Sequence, residues 1–88
     1  KALSISSGLF AARELWQSGE QVAEKLKSVV VDEILTGDPE VSVQIDYVSV
    51  SDRSSFIEVG LVEDPGNAII LVAAEVGTTR LIDNVLLV

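Results

Sequence analysis

The sequence predicts an α+β domain: two N-terminal helices followed by a three-stranded antiparallel sheet. Three observations carry that prediction. Apolar residues recur at i+3 and i+4 spacing through the first third of the 88 residues. From Val41 onward they alternate or run continuously, as strands do. Near the end, Gly77-Thr78 separates two apolar runs and fits a two-residue hairpin loop, with glycine where a positive φ is needed.

The first helix rests on Ala2, Ile5, Leu9, Ala12 and Trp16, one apolar stripe that Leu3 and Phe10 widen. Ser6, Arg13, Glu14 and Gln17 fall outside it, Trp16 reads as core, and Gly19 is the expected stop. Ser18 and Gln21 have capping-box spacing for a second helix, whose positive end suits Glu20 and Glu24. Val22, Leu26 and Val29, joined by Ala23, Val30 and Ile34, form its apolar face, and Gly37-Asp38-Pro39 ends it.

In the first strand Val41, Val43, Ile45 and Tyr47 alternate with Ser42, Gln44 and Asp46. The phase then slips to Val48 and Val50, which calls for a bulge near Tyr47 or burial on both faces. Ser51-Asp52-Arg53-Ser54-Ser55 and Asp64-Pro65-Gly66-Asn67 read as turns, while residues 56–62 carry no clear pattern. The run 68–76 is nearly all apolar and belongs in the middle of the sheet. Along the last strand Arg80, Ile82 and Asn84 point one way and Leu81, Asp83 and Val85 the other. Arg80 and Asp83 therefore cannot neutralise each other, and each needs its own partner.

The last two strands are apolar on both faces, unlike an antiparallel sheet with one solvated side. Two short helices can cover one face of three strands. Either part of the second face, or of a helix flank, meets something outside these 88 residues, or one helix packs on each face. The first case predicts self-association of the isolated chain, a homo-oligomer.

Composition narrows the function. There are 14 acidic and 6 basic residues, a formal charge of −8, so no basic patch exists for a nucleic-acid backbone. No apolar run approaches the roughly 18 residues that span a bilayer, and no signal-like N-terminus is seen. A soluble, cytoplasmic protein is the expectation, with no membrane partner. The absence of cysteine excludes disulfides and thiolate chemistry. The absence of histidine removes the imidazole base, the Ser/His/Asp arrangement and the commonest metal ligand. Gly77-Thr78-Thr79 lacks the lysine, the further glycines and the following helix of a phosphate loop. Asp38, Glu40, Glu63 and Asp64 could form a hard-cation site, but their prolines mark them as solvated turns. Asp46 and Tyr47 could serve as acid and donor, or be an edge aspartate beside a core tyrosine. Arg80, Asp83 and Asn84 are the leading functional candidates, with structural pairing or capping as the simpler reading.

The run Gly77-Thr78-Thr79-Arg80-Leu81-Ile82-Asp83-Asn84 also resembles the C-terminal signature of the pantoate–β-alanine ligases, the pantothenate synthetases. In matching order, Ala2-Leu3-Ser4-Ile5-Ser6 with Leu9, Ala11 and Ala12 resembles the opening helix of that family's C-terminal domain. Gly19-Glu20 with Ala23 and Leu26 resembles the second helix, and Ile45-Asp46-Tyr47-Val48 the Asp-Tyr strand. Ser7 departs from the pattern, standing where the family usually has an arginine.

That resemblance implies an ATP- and magnesium-dependent ligase that adenylates pantoate, releases pyrophosphate, and joins the pantoyl group to β-alanine. It implies that residues 1–88 form one lid domain over a larger N-terminal nucleotide-binding domain, which carries a His-x-Gly-His motif and most substrate contacts. The abrupt helical start of the chain agrees with such a covalent neighbour. Ser4, Ser6, Asp46, Tyr47, Arg80, Asp83 and Asn84 match family motifs, without an implied catalytic step. The isolated chain is then expected to hold no cofactor and to be inactive. The competing reading is a non-enzymatic α+β module that self-associates through its sheet; a third, a regulatory small-molecule domain, lacks an anion-binding loop.

Overall fold

The computed structural model describes the backbone of residues 2–36 and 42–88, and side chains from Ile5 onward. Helices α1 (Ala2–Gln17) and α2 (Ala23–Leu35) precede strands β1 (Val43–Asp52), β2 (Ala68–Val76) and β3 (Thr79–Leu87). The strands form one antiparallel sheet in the order β1-β2-β3, so the apolar run 68–76 occupies the centre. The two-layer α+β architecture matches the expectation.

Both helices lie on the same face of the sheet. They pack on each other, α1 over β3 and α2 over β1. One helix on each face, the alternative left open by the sequence, does not occur. Two anchors set the direction of α1: Ser6 Oγ donates to Asp83, and Gln17 Nε2 to the carbonyl of Val88. From Ser6 to Gln17 the helix rises about 16 Å, and from Asp83 to Val88 the strand rises about 17 Å, so the two run parallel in step. The helices meet closely at Gly8, where a Cβ would stand 3.0 Å from the Val30 carbonyl oxygen.

The core lies between the layers. Ile5, Leu9 and Ala12 of α1 and Leu26, Val30 and Ile34 of α2 are buried against Val50, Ile70, Val72 and Leu87 of the sheet. Helix α1 departs from the expected stripe at Phe10, which is 51% exposed. Instead of widening the core face, it carries the Arg13 guanidinium over its ring at 5.1 Å. Trp16 is partly buried, and its indole donates to the Val62 carbonyl at 2.9 Å. The side chains of Ala2, Leu3 and Ser4 lie outside the described residues.

The start of α2 also differs from expectation. No Ser18–Gln21 capping box forms: Ser18 Oγ donates to the Leu15 carbonyl, and the N-cap is Val22, without a side-chain cap. Val22 is exposed rather than core. The Val22 amide donates to Glu20 Oε2, while the Ala23 amide donates to Gly60 O at 2.9 Å. A segment nearly forty residues away thus does what a local cap usually does. Helix α2 ends at Leu35, with Thr36 Oγ1 donating to Asp32 O. Gly37, Asp38, Pro39, Glu40 and Val41, with the helix stop and strand start assigned to them, lie outside the described residues.

Strand β1 continues to Asp52 rather than turning at Ser51. Asp52 Oδ1 accepts the amides of Ser54 and Ser55, both at 2.9 Å, and the Ser55 hydroxyl. These donors, the Ser55 amide first, hold its carboxyl below the ordinary carboxylate pKa. The turn leaves Phe56 in the left-handed region at φ 59°. The chain then runs back along β1, with Asp52 N–H donating to Ile57 O and Val59 N–H to Val50 O. Val62 turns inward to the core, and its amide donates to Gln21 O. Residues 56–62, unreadable by periodicity, thus line the outer edge of β1 at its end, Val50–Asp52, and brace the start of α2.

Candidate functional site

The β2–β3 hairpin has the expected two-residue loop: Val76 pairs with Thr79, and Gly77 sits at φ 63°. From it, alternation sends Arg80, Ile82 and Asn84 to the face away from the helices and Leu81, Asp83 and Val85 toward them. Arg80 and Asp83 find separate partners, as required. Arg80 reaches across β2 to an ion pair with Asp46 of β1. Asp83, half-buried, accepts the Ser6 hydroxyl at 3.4 Å and the Asn84 amide at 2.8 Å.

The reach from Arg80 to Asp46 depends on a bulge. Ile45 opposes Ala74 and Tyr47 opposes Ala73, so Asp46 is the extra residue. The bulge is the phase slip seen in the sequence. It sets both Asp46 and Tyr47 on the helix-free face, one residue apart. Tyr47 is therefore 44% exposed rather than a core residue. Ala73 pairs with Tyr47 on one side and Ile82 on the other, making one cross-strand row. Ile82 is 64% exposed, whereas Ala73 between the two is fully covered. The next rows, Ser49–Leu71–Asn84 and Ser51–Ile69–Leu86, continue this face. Toward the hairpin, Gln44–Glu75–Arg80 gives it a polar rim.

The candidate residues thus divide. Asp46, Tyr47, Arg80 and Asn84 share the helix-free face. Asp83 and Ser6 border a shallow cleft of about 140 Å³ with Ile5, Leu81 and Ile82, along the edge of β3. Ser4, the remaining family-motif serine, lies outside the described side chains. Among the candidates with described side chains, the one hydroxyl-to-carboxylate contact is that of Ser6 with Asp83. Among the described residues, no three His, Cys, Asp or Glu side chains gather as a metal site. Glu63 and Asp64 are exposed on the β1–β2 connection, as a solvated turn requires, and their suggested partners Asp38 and Glu40 lie outside the described residues. What the arrangement offers is a flat, partly apolar surface with an ion pair at one end. The Arg80–Asp46 contact itself was not legible, because it depends on which residue the bulge inserts.

Comparison with known proteins agrees with this fold. The family model described as pantoate-beta-alanine ligase matches residues 1–86. The pantothenate synthetase of Campylobacter concisus (strain 13826) is 44% identical over 84 residues, which cover 96% of this chain and 28% of that protein. That of Thermobifida fusca (strain YX) is 41% identical over 85 residues, 96% of this chain and 27% of the relative. A crystal structure of pantothenate synthetase from Thermus thermophilus superposes with a TM-score of 0.79 at 24% identity, over 96% of this chain and 28% of that one, a likeness of fold. A second structure from the same organism gives 0.75 at 28% identity, again over 96% of this chain and 28% of that one. The chain spans little more than a quarter of the length of these relatives. On the match over residues 1–86 and on relatives above 40% identity, the chain belongs to the pantoate-beta-alanine ligase family.

Proposed function

We propose that these 88 residues are the C-terminal lid domain of a cytoplasmic ligase that condenses pantoate with β-alanine. In that reaction a pantoate carboxylate oxygen attacks the α-phosphorus of ATP and pyrophosphate leaves. The amine of β-alanine then attacks the acyl carbon of the pantoyl adenylate, and AMP departs. The observation that carries this reading is the family match, which runs from one end of the chain to residue 86. The match is paired with a fold that holds no catalytic constellation of its own among the described residues.

The residues present do not fit a nucleotide or magnesium site. They include no histidine and no phosphate loop, and the described acidic side chains do not converge. Both ligands are assigned instead to a larger nucleotide-binding domain of the parent protein, and no chemical step is assigned to this chain. Its contribution is exclusion of water: an acyl adenylate hydrolyses readily, and a domain closing over it keeps the intermediate for the amine. A two-layer body with no histidine and no cysteine suits that role.

The purified 88 residues, given ATP, magnesium, pantoate and β-alanine, release no AMP on this reading; pantoate-dependent AMP release by the isolated chain overturns it. The uncovered sheet face also favours a second reading, a non-enzymatic module that self-associates through its sheet. Sedimentation of the isolated chain as a stable dimer, with no ligase activity in any longer protein that carries it, decides for that reading.

A further inference from the structure

We propose that the cavity where the end of α1 meets the β1–β2 connection binds a primary ammonium ion carried on a short hydrocarbon stem. It lies away from the family-motif residues: Trp16 and Gln17 reach it from the last turn of α1, and Trp16 is roughly 15 Å along the helix from Ser6. Its volume is about 340 Å³, against about 140 Å³ for the cleft beside Asp83, enough for a small metabolite. Hydrogen bonds between distant segments fix its walls. The Trp16 indole donates to Val62 O at 2.9 Å and Gln17 Nε2 to Val88 O at 2.8 Å. The Val62 amide donates to Gln21 O at 2.9 Å, and the Gly66 amide to Leu87 O at 2.7 Å. The fold itself thus shapes the cavity, and little ordering is left for a ligand to offset.

The groups on its walls select a cation. Trp16, Pro65 and Val88 supply apolar surface, and because the indole N–H is already bonded, Trp16 presents its ring. Gln17 commits its amide nitrogen to Val88, which leaves its carbonyl oxygen as an acceptor beside the Gln21 side chain. Glu63 is the charged group of the wall, exposed and without an ion-pair partner among the described residues. No described lysine or arginine lines the cavity, so a phosphate or carboxylate would meet only repulsion from Glu63. A hard metal ion is no better served, since one carboxylate and two amides fall short of the about six to eight oxygens that calcium takes. An ammonium needs less. It donates to the carboxylate and amide oxygens and lies over the indole, the aromatic face that attracts cations most, while its stem packs on Pro65 and Val88. The formal charge of −8 raises the local concentration of such ions. A zwitterion such as β-alanine fits poorly, because its carboxylate finds no cationic partner here. The inference therefore stands apart from the ligase reading and does not rest on it.

The test reads the fluorescence of Trp16, the chain's one tryptophan, so the reporter sits in the site itself. The 88-residue chain is titrated with n-butylammonium chloride at constant ionic strength, with sodium chloride making up the balance. The proposal predicts a saturable change in emission with a midpoint on the order of 1 mM. Glu63→Gln should raise that midpoint about tenfold. Asp32→Asn, which removes the same charge from α2, should leave it unchanged. Both residues are exposed, so neither substitution threatens the fold. Butyrate and β-alanine at the same concentrations should give no saturable change. A flat titration of the unaltered chain overturns the proposal, and so does an unchanged midpoint in Glu63→Gln. An equal rise in Asp32→Asn overturns it by reducing the effect to bulk charge attraction. An equal response to butyrate or β-alanine overturns it by making the cavity a crevice without preference for a cation.

Discussion

On the helix side of the sheet, Val50, Ile70 and Val85 form one row across the three strands, all buried. On the other side, Tyr47 and Ile82 flank Ala73 at 44% and 64% exposure. The same three strands supply both rows, and their residue types differ little. The difference comes from what lies above: α1 and α2 both sit on the first face, and neither reaches the second. A sheet that is apolar on two sides uses only one of them for its own stability. The other is available for contact, and the Arg80–Asp46 pair at its rim ties β3 to β1 across β2 without closing it.

The largest expected effect lies where the faces differ most. Leu26 of α2, fully buried between the helices and the sheet, should cost about 2–5 kcal/mol when replaced by alanine. That is a large fraction of the roughly 5–15 kcal/mol that holds a small domain together. Urea unfolding of Leu26→Ala measures it. Gly8→Ala probes the helix–helix contact that keeps both helices on one face. Pushing against the Val30 carbonyl should outweigh the gain of about 1 kcal/mol in helix propensity, for a net loss on the order of 1 kcal/mol. A stabilised Gly8→Ala protein would mean that the helices part easily and that the layered packing is looser than described.

Effects on the open side should be smaller. Arg80→Ala removes a solvent-exposed ion pair and should change stability by less than about 1 kcal/mol, more at low salt than at high. The contribution of Asp52 is lost in acid. Its folded pKa is lowered, so its stabilisation is present above the ordinary carboxylate value near 3.8 and is lost as pH falls through the folded value. Asp52→Asn keeps an acceptor for the Ser54 and Ser55 amides, and should flatten the pH dependence of stability below about pH 4 while leaving pH 7 little changed. Thermal melts across that range report the slope.

Much of this was readable in the residues, and what was not has a physical cause. The Gly77-Thr78 hairpin, the central position of 68–76 and the opposed directions of Arg80 and Asp83 follow from local rules: glycine's access to positive φ, apolar content and the two-residue period of a strand. The bulge showed as a phase slip, yet only the register identifies Asp46 as the inserted residue and so as Arg80's partner. Ser18 and Gln21 have capping-box spacing, but Gly60 and Val62 come from the β1–β2 connection to bond the start of α2, a tertiary choice that no local pattern records. Phe10 has core spacing on α1, but the placement of that helix against α2 and the sheet leaves it outside. Of the candidate site, the residues and the opposite directions of Arg80 and Asp83 were legible; which of the two faces stays open was not, since that depended on both helices choosing one side.

Unfolding free energies of Ile70→Ala and Ile82→Ala, measured side by side in the isolated chain, test the asymmetry most directly. A loss of about 2–5 kcal/mol at position 70 against a change within about 0.5 kcal/mol at position 82 is the predicted result. Comparable losses at both positions would contradict it, placing Ile82 in a buried environment within the monomer.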